Sequence, residues 1–154
     1  MNMNIELRDL PARKAACMTH NGPYFLIGAK FGEMAQWWGS KGYPPTEAVA
    51  LYYDDPETTP IEKLRSRAGL FVEDDFATDD PRIEVVEVPG GKHAVGTYNG
   101  AYDGLGAAWG ELCGKEIPKR GYTMRDSPSY EVYLNDCTTV PASELITELY
   151  VGVE

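Results

Sequence analysis

Histidine is almost absent from the chain, with two residues in 154, and cysteine is limited to three. Neither falls in a CxxC or HxxxH spacing, so no metal site is expected. The odd set Cys17, Cys113 and Cys137 fits reduced thiols rather than a disulfide framework, and with it a cytoplasmic setting. No apolar run approaches the ~20 residues that a membrane span needs. The opening Met1-Asn2-Met3-Asn4 lacks the basic and apolar regions of a secretory signal. Positive charge is scarce: 14 Lys and Arg against 24 Asp and Glu leave a formal net charge of −10. The basic residues do not cluster, which excludes the phosphate contacts of nucleic-acid binding. Gly104, Gly106 and Gly110 miss the GxGxxG spacing by one place and fall within a helical pattern, so no nucleotide cofactor, and no cofactor of any kind, is expected.

What the chain does contain is itself, twice. A shift of 78 places lays Ile5-Glu6 on Ile83-Glu84, Pro11 on Pro89 and Asn21-Gly22-x-Tyr24 on Asn99-Gly100-x-Tyr102. There are 13 identities over the 29 positions from Ile5 to Glu33, where composition alone gives roughly two. After a three-residue slip the match resumes at a shift of 81, with Tyr52 on Tyr133, Asp55 on Asp136 and Val72-Glu73 on Val153-Glu154. The expectation is one domain over 1–154, built from internal repeats at approximately 3–73 and 81–154, with two half-domains about a pseudo-twofold axis and a central cleft. The acidic stretch Glu73–Asp80 at their junction reads as a solvated linker, with a DNA-mimicking or partner-docking patch as the rival reading.

Each copy has the pattern strand-strand-helix-strand-strand. Ile5–Leu10 and Arg13–Thr19 read as strands joined at Pro11, and Ile83–Val88 and Lys92–Tyr98 as strands joined at Pro89. The helix from Tyr24 to Trp38 places Ile27, Phe31, Met34 and Trp38 on one apolar stripe, and its counterpart places Leu105, Trp109, Leu112 and Cys113 likewise. Gly42-Tyr43 and Gly121-Tyr122 mark the helix stops. Glu47–Tyr53, Ala68–Val72, Tyr130–Asn135 and Glu148–Val153 supply the remaining strands. The predicted fold is α+β: duplicated strand-helix-strand-strand modules, with antiparallel sheet and two helices on one side.

Strand alternation sorts the side chains by face. Val132 and Leu134 share one side of their strand and Glu131 and Tyr133 the other; Leu70, Val72, Leu149, Val151 and Val153 look core-facing, leaving Phe71 and Tyr150 opposite. The face away from the helices is then expected to carry Tyr52, Phe71, Tyr133 and Tyr150 around a single carboxylate, Glu131. Aromatic rings around one acid make a pocket for a planar or cationic organic molecule. Each tyrosine is equally readable as a half-buried strand residue. Trp37 lies ~80° off the apolar stripe and is placed beside the cleft, whereas Trp38 reads as core. Glu131 stands out because its repeat mate is Ala50, so the fold does not demand an acid there.

Leu10-Pro11, Asn21-Gly22-Pro23-Tyr24 and above all Tyr130-Glu131-Val132-Tyr133-Leu134-Asn135-Asp136 resemble the GyrI-like small-molecule-binding family, also called the AraC effector-binding domain family. The resemblance spans essentially the whole chain. It implies two fused modules with a central cleft, and a central glutamate at Glu131. It also implies three readings. The first is a binding protein for hydrophobic, cationic aromatic compounds, as in drug or toxin sensing and sequestration. Its ligand contacts would be Glu131, Tyr133, Tyr52, Phe71, Tyr150 and Trp37. The second is a hydrolase of reactive cyclopropane-type genotoxins in which Glu131 and Tyr133 are catalytic. The third is a stress-protective protein acting on DNA gyrase through an exposed surface. Members that regulate transcription carry a DNA-binding part. Only four residues precede the first strand here, so a stand-alone module is expected.

Overall fold

In the computed structural model, which describes residues 3–154, strands and helices alternate in the order expected, but the strand partners are exchanged. The eight strands are β1 (Asn4–Leu10), β2 (Arg13–Asn21), β3 (Ala48–Tyr52), β4 (Arg65–Val72), β5 (Glu84–Val88), β6 (Gly91–Asn99), β7 (Ser129–Tyr133) and β8 (Ile146–Gly152). Two helices accompany them, α1 (Gly28–Lys41) and α2 (Leu105–Glu111). The chain forms two compact units, one of Ala12–Pro89 and one of the segment ending at Pro11 together with Gly90–Glu154. Both are α+β, with antiparallel sheet and a helix against it.

In the second unit β1 pairs with β6 over seven positions, from Asn4↔Thr97 to Leu10↔Gly91. β6 pairs with β8 and β8 with β7. In the first unit β5 pairs with β2, β2 with β4 and β4 with β3, all antiparallel. Each unit therefore takes its outer strand from the other sequence repeat. The strands joined at Pro11, and those joined at Pro89, follow one another along the chain without being partners. The local chemistry explains this. A two-residue hairpin loop needs positive φ at one or both central positions, and Pro11, with φ fixed near −65°, cannot supply it. The chain runs on instead of turning back.

The helices end where the sequence places their stops. Gly42 caps α1 with φ 70°, its N–H donating to the Gly39 carbonyl. Gly121, with φ 74°, donates to the Pro118 carbonyl. A left-handed residue is needed at both points, and glycine takes that conformation without a Cβ penalty. The second helix continues beyond α2 through a π turn, Leu112–Glu116, and a last turn, Ile117–Lys119. Its apolar face packs Ala108, Leu112 and Ile117 onto Ala94, Leu149, Val151 and Val153 of the sheet. In the first unit Gly69 stands opposite Cys17 across the β2–β4 ladder, where any Cβ would come within 2.5 Å of the Cys17 Sγ. Among the described residues no helix is long and apolar enough to cross a membrane.

Candidate functional site

Register decides which face Glu131 occupies. Cross-strand partners in an antiparallel pair point to the same side of the sheet. Glu131 pairs with Leu149, and Leu149 belongs to the cluster under the helix. Glu131 and, two residues on, Tyr133 therefore face the helix side. Tyr150 pairs with Tyr130 on the opposite face. The single aromatic face expected from alternation is thus split. β7 is buried on both sides over Tyr130–Val132, so its apolar pattern carries no sign of which face meets the helix.

On the helix side stands a compact polar cluster. Glu131 is 2% exposed. The Trp109 indole N–H, from α2, donates to Oε1 at 2.6 Å. The Tyr133 hydroxyl donates to Oε2 at 2.6 Å. Each carboxyl oxygen thus has one side-chain partner, an indole N–H on one and a phenol hydroxyl on the other. The Tyr102 ring meets that of Tyr133 edge-on, with centroids 5.5 Å apart. Burial, with Cys137, Asp136 and Glu131 nearby, pushes the Tyr102 hydroxyl up to about 12. Trp109 was read from sequence only as part of an apolar stripe. One signal was available: its repeat mate is Phe31, so the indole N–H and the carboxylate (Ala50 in the first copy) appear together and only in the second copy.

The other face of the same unit holds a different network. Tyr150 stacks on Tyr130 with centroids 4.7 Å apart and donates its hydroxyl to Glu148 at 2.8 Å. Arg8 of β1 bonds Glu148 at 2.8 Å and donates to the Tyr150 hydroxyl at 3.0 Å. Burial and the bond to Glu148 hold the Tyr150 hydroxyl well above the usual phenol range. His93 lies in the same layer, fully buried, its ring edge-on to those of Tyr130 and Tyr150, with Nδ1 against the Gly91 carbonyl.

The remaining expected contacts belong to the Ala12–Pro89 unit. Tyr52 ends β3, with its ring 4.7 Å from that of Tyr24. Phe71, buried in β4, lies beneath the Arg13 guanidinium at 3.5 Å from the ring centroid. The two tryptophans exchange the roles expected of them. Trp37 is 3% exposed and packs edge-on to Tyr43 and Phe76, while Trp38 is half-buried and donates to the Pro44 carbonyl at 3.0 Å. The buried residues of α1 are Met34 and Trp37, with Ile27 buried just before it, so an indole ~80° from the stripe centre is long enough to reach the core. Trp38, Tyr43, Phe71 and Phe76 line a groove of about 440 Å³. Phe76 stacks on Trp38 at 6.3 Å, while Asp74, Asp75 and Asp79 on either side of it are exposed. Within that junction Arg82 holds the Asp80 carboxyl down to about 2.

Residues 3–154 match the family described as GyrI-like small molecule binding domain, and the chain belongs to that family. It is similar to the DNA gyrase inhibitor of Escherichia coli strain K12, at 31% identity over 155 residues covering 99% of this chain and 98% of the relative. Among solved structures it resembles the EcmrR C-terminal domain, with TM-score 0.77 and 20% identity, covering 100% of this chain and 99% of that one. It also resembles SAV2435 bound to tetraphenylphosphonium, with TM-score 0.64 and 16% identity, covering 99% of this chain and 94% of that one.

Proposed function

We propose that the protein binds hydrophobic, cationic aromatic molecules, with Glu131 as counter-ion and Trp109 and Tyr133 as the groups that orient it. The observation that carries this reading is the buried carboxylate held by two donors in one copy of a repeat whose other copy has alanine there. A buried acid is costly to keep, and a ligand that brings a positive charge and aromatic surface offsets that cost. The family's description and the tetraphenylphosphonium bound to SAV2435 support the same chemistry. Tyr150, on the opposite face of the sheet, and Tyr52, Phe71 and Trp37, which belong to the Ala12–Pro89 unit, take no part in this reading.

Calorimetric titration with tetraphenylphosphonium and with neutral triphenylphosphine oxide tests it. Glu131→Gln is expected to weaken the cation by about 10–100-fold, or ~1.4–2.8 kcal/mol, and the neutral compound by less than about twofold. Equal losses for both compounds would remove the counter-ion role.

The E. coli relative's name supports a second reading, in which the protein acts on DNA gyrase. The exposed Asp74, Asp75 and Asp79 would then supply the docking surface, with Asp80 engaged by Arg82. Inhibition of supercoiling that survives Glu131→Gln but fails when those aspartates become asparagine would favour it. Inhibition unchanged by the asparagines would exclude that surface.

A further inference from the structure

With Glu131 2% exposed, a ligand can touch its oxygens only after a covering group moves. Tyr102 is the most exposed ring beside it, at 37%, and leans on Tyr133, which bonds the carboxylate. The duplication supplies an internal control. Position 102 matches Tyr24, whose ring leans on Tyr52 just as Tyr102 leans on Tyr133. The Tyr24 hydroxyl donates to the Asp54 carbonyl at 2.8 Å and accepts the Asp54 N–H at 3.0 Å, with the Arg65 carbonyl 3.2 Å away. Those backbone bonds pin the ring. The Tyr102 hydroxyl instead meets the exposed Cys137 thiol, a poor hydrogen-bonding group, at the position where the first copy has Pro56. The same tyrosine is pinned to backbone in the copy with Ala50 and meets only a side-chain thiol in the copy with Glu131.

We propose that Tyr102 is the gate of the Glu131 site: its ring swings away from Tyr133 to admit an aromatic cation, then closes as a stacking wall. A ring without backbone tethers reorients at the cost of one edge-to-face contact and no backbone hydrogen bond. This inference rests on the reading of Glu131 as a ligand site.

Stopped-flow association of tetraphenylphosphonium with the full chain, followed by tryptophan fluorescence, tests it. Tyr102→Ala, and Tyr102→Leu should the alanine variant fold poorly, are expected to raise the association rate by about two- to tenfold, the span one ring contact is worth. Both should raise the dissociation rate further, because the closing wall is gone. Tyr102→Phe should match the wild type in both rates and in melting temperature, whereas Tyr24→Phe should melt lower. A ring that serves only packing would shift melting temperature and leave association unchanged. Unchanged association in the alanine and leucine variants, with binding still lost in Glu131→Gln, overturns the gate and leaves the counter-ion standing. Slower association in Tyr102→Phe overturns the weakly held hydroxyl and the gate with it. Absence of binding in every protein, the opened variants included, overturns the ligand reading and the gate together.

Discussion

Replacing Trp109 by phenylalanine takes one donor from a carboxylate that is almost out of water and changes little else. Phenylalanine occupies the matching position, Phe31, in the first copy, so the ring size is tolerated by the module. The bond removed is an N–H···O contact of 2.6 Å to an acid that is 2% exposed. A hydrogen bond to a buried charged group is worth about 1.5–3 kcal/mol. For a chain of this length each kcal/mol moves the thermal midpoint by about 2–4 °C, so a fall of roughly 3–12 °C is expected. Glu131→Ala alone strands the indole N–H and the Tyr133 hydroxyl in a dry site, and a loss of similar size follows. The double variant, W109F with E131A, installs the pair that the first copy carries at positions 31 and 50. Donor and acceptor then leave together, so the double loss should fall short of the sum by about 1–3 kcal/mol. Denaturant unfolding of the four proteins gives the coupling directly. Additivity within ~0.5 kcal/mol would refute the idea that indole and carboxylate sustain each other.

Two further outcomes follow from other parts of the molecule. Burial pushes the Cys17 thiol up to about 12, from 9.0; the folded state keeps the proton that the unfolded chain gives up, so this contribution to stability is intact below pH ~9 and is lost as pH rises toward 12. Unfolding free energy should fall across that window and fall less in Cys17→Ala, while iodoacetamide at pH 8 should label the exposed Cys137 well before Cys17; equal labelling rates would contradict the burial. Arg8→Met leaves Glu148 buried without its cation and should cost about 1–3 kcal/mol, discounted because Arg8 is itself partly exposed, whereas Arg8→Met with Glu148→Gln should recover part of that loss. Equal melting temperatures for the single and double variants would mean that the pair is not what holds β1.

Much of the architecture could be read from the residues, and the failures have physical causes. Strand and helix positions follow from apolar periodicity, turn residues and the two glycine stops, and each is checked by its counterpart 78 or 81 residues away. Glu131 was legible as the odd acid because a duplicated sequence exposes what one copy has and the other lacks. Its face was not. Tyr130, Glu131 and Val132 are all buried, so alternation in β7 has no polar side to orient it, and the register against β8 is set by a partner some 18 residues away. Trp109 was hidden for a related reason: an indole on an apolar helix stripe looks like core until the one polar atom it carries finds a partner. The strand partners of β1 and β5 were beyond reach because pairing between distant segments leaves no local pattern; only the unsuitability of Pro11 for a tight turn hinted at it.

The exchanged strands bear on how such a molecule could have arisen and how it must fold. A lone copy severed at the junction near Asp75 would hold β1 while lacking β6, its edge partner, and would leave β2 with one side open. Two such fragments could complete each other only by trading strands, as a symmetric pair of short chains would; joining them end to end makes that trade intramolecular. The Ala12–Pro89 unit needs only the first strand of the second copy, whereas β1 must wait for β6, and contacts such as Asn4↔Thr97 span most of the chain. The penalty is slow assembly, since long loops must close before any reward arrives. The gain is that the edge of each unit is closed by a strand of the other repeat.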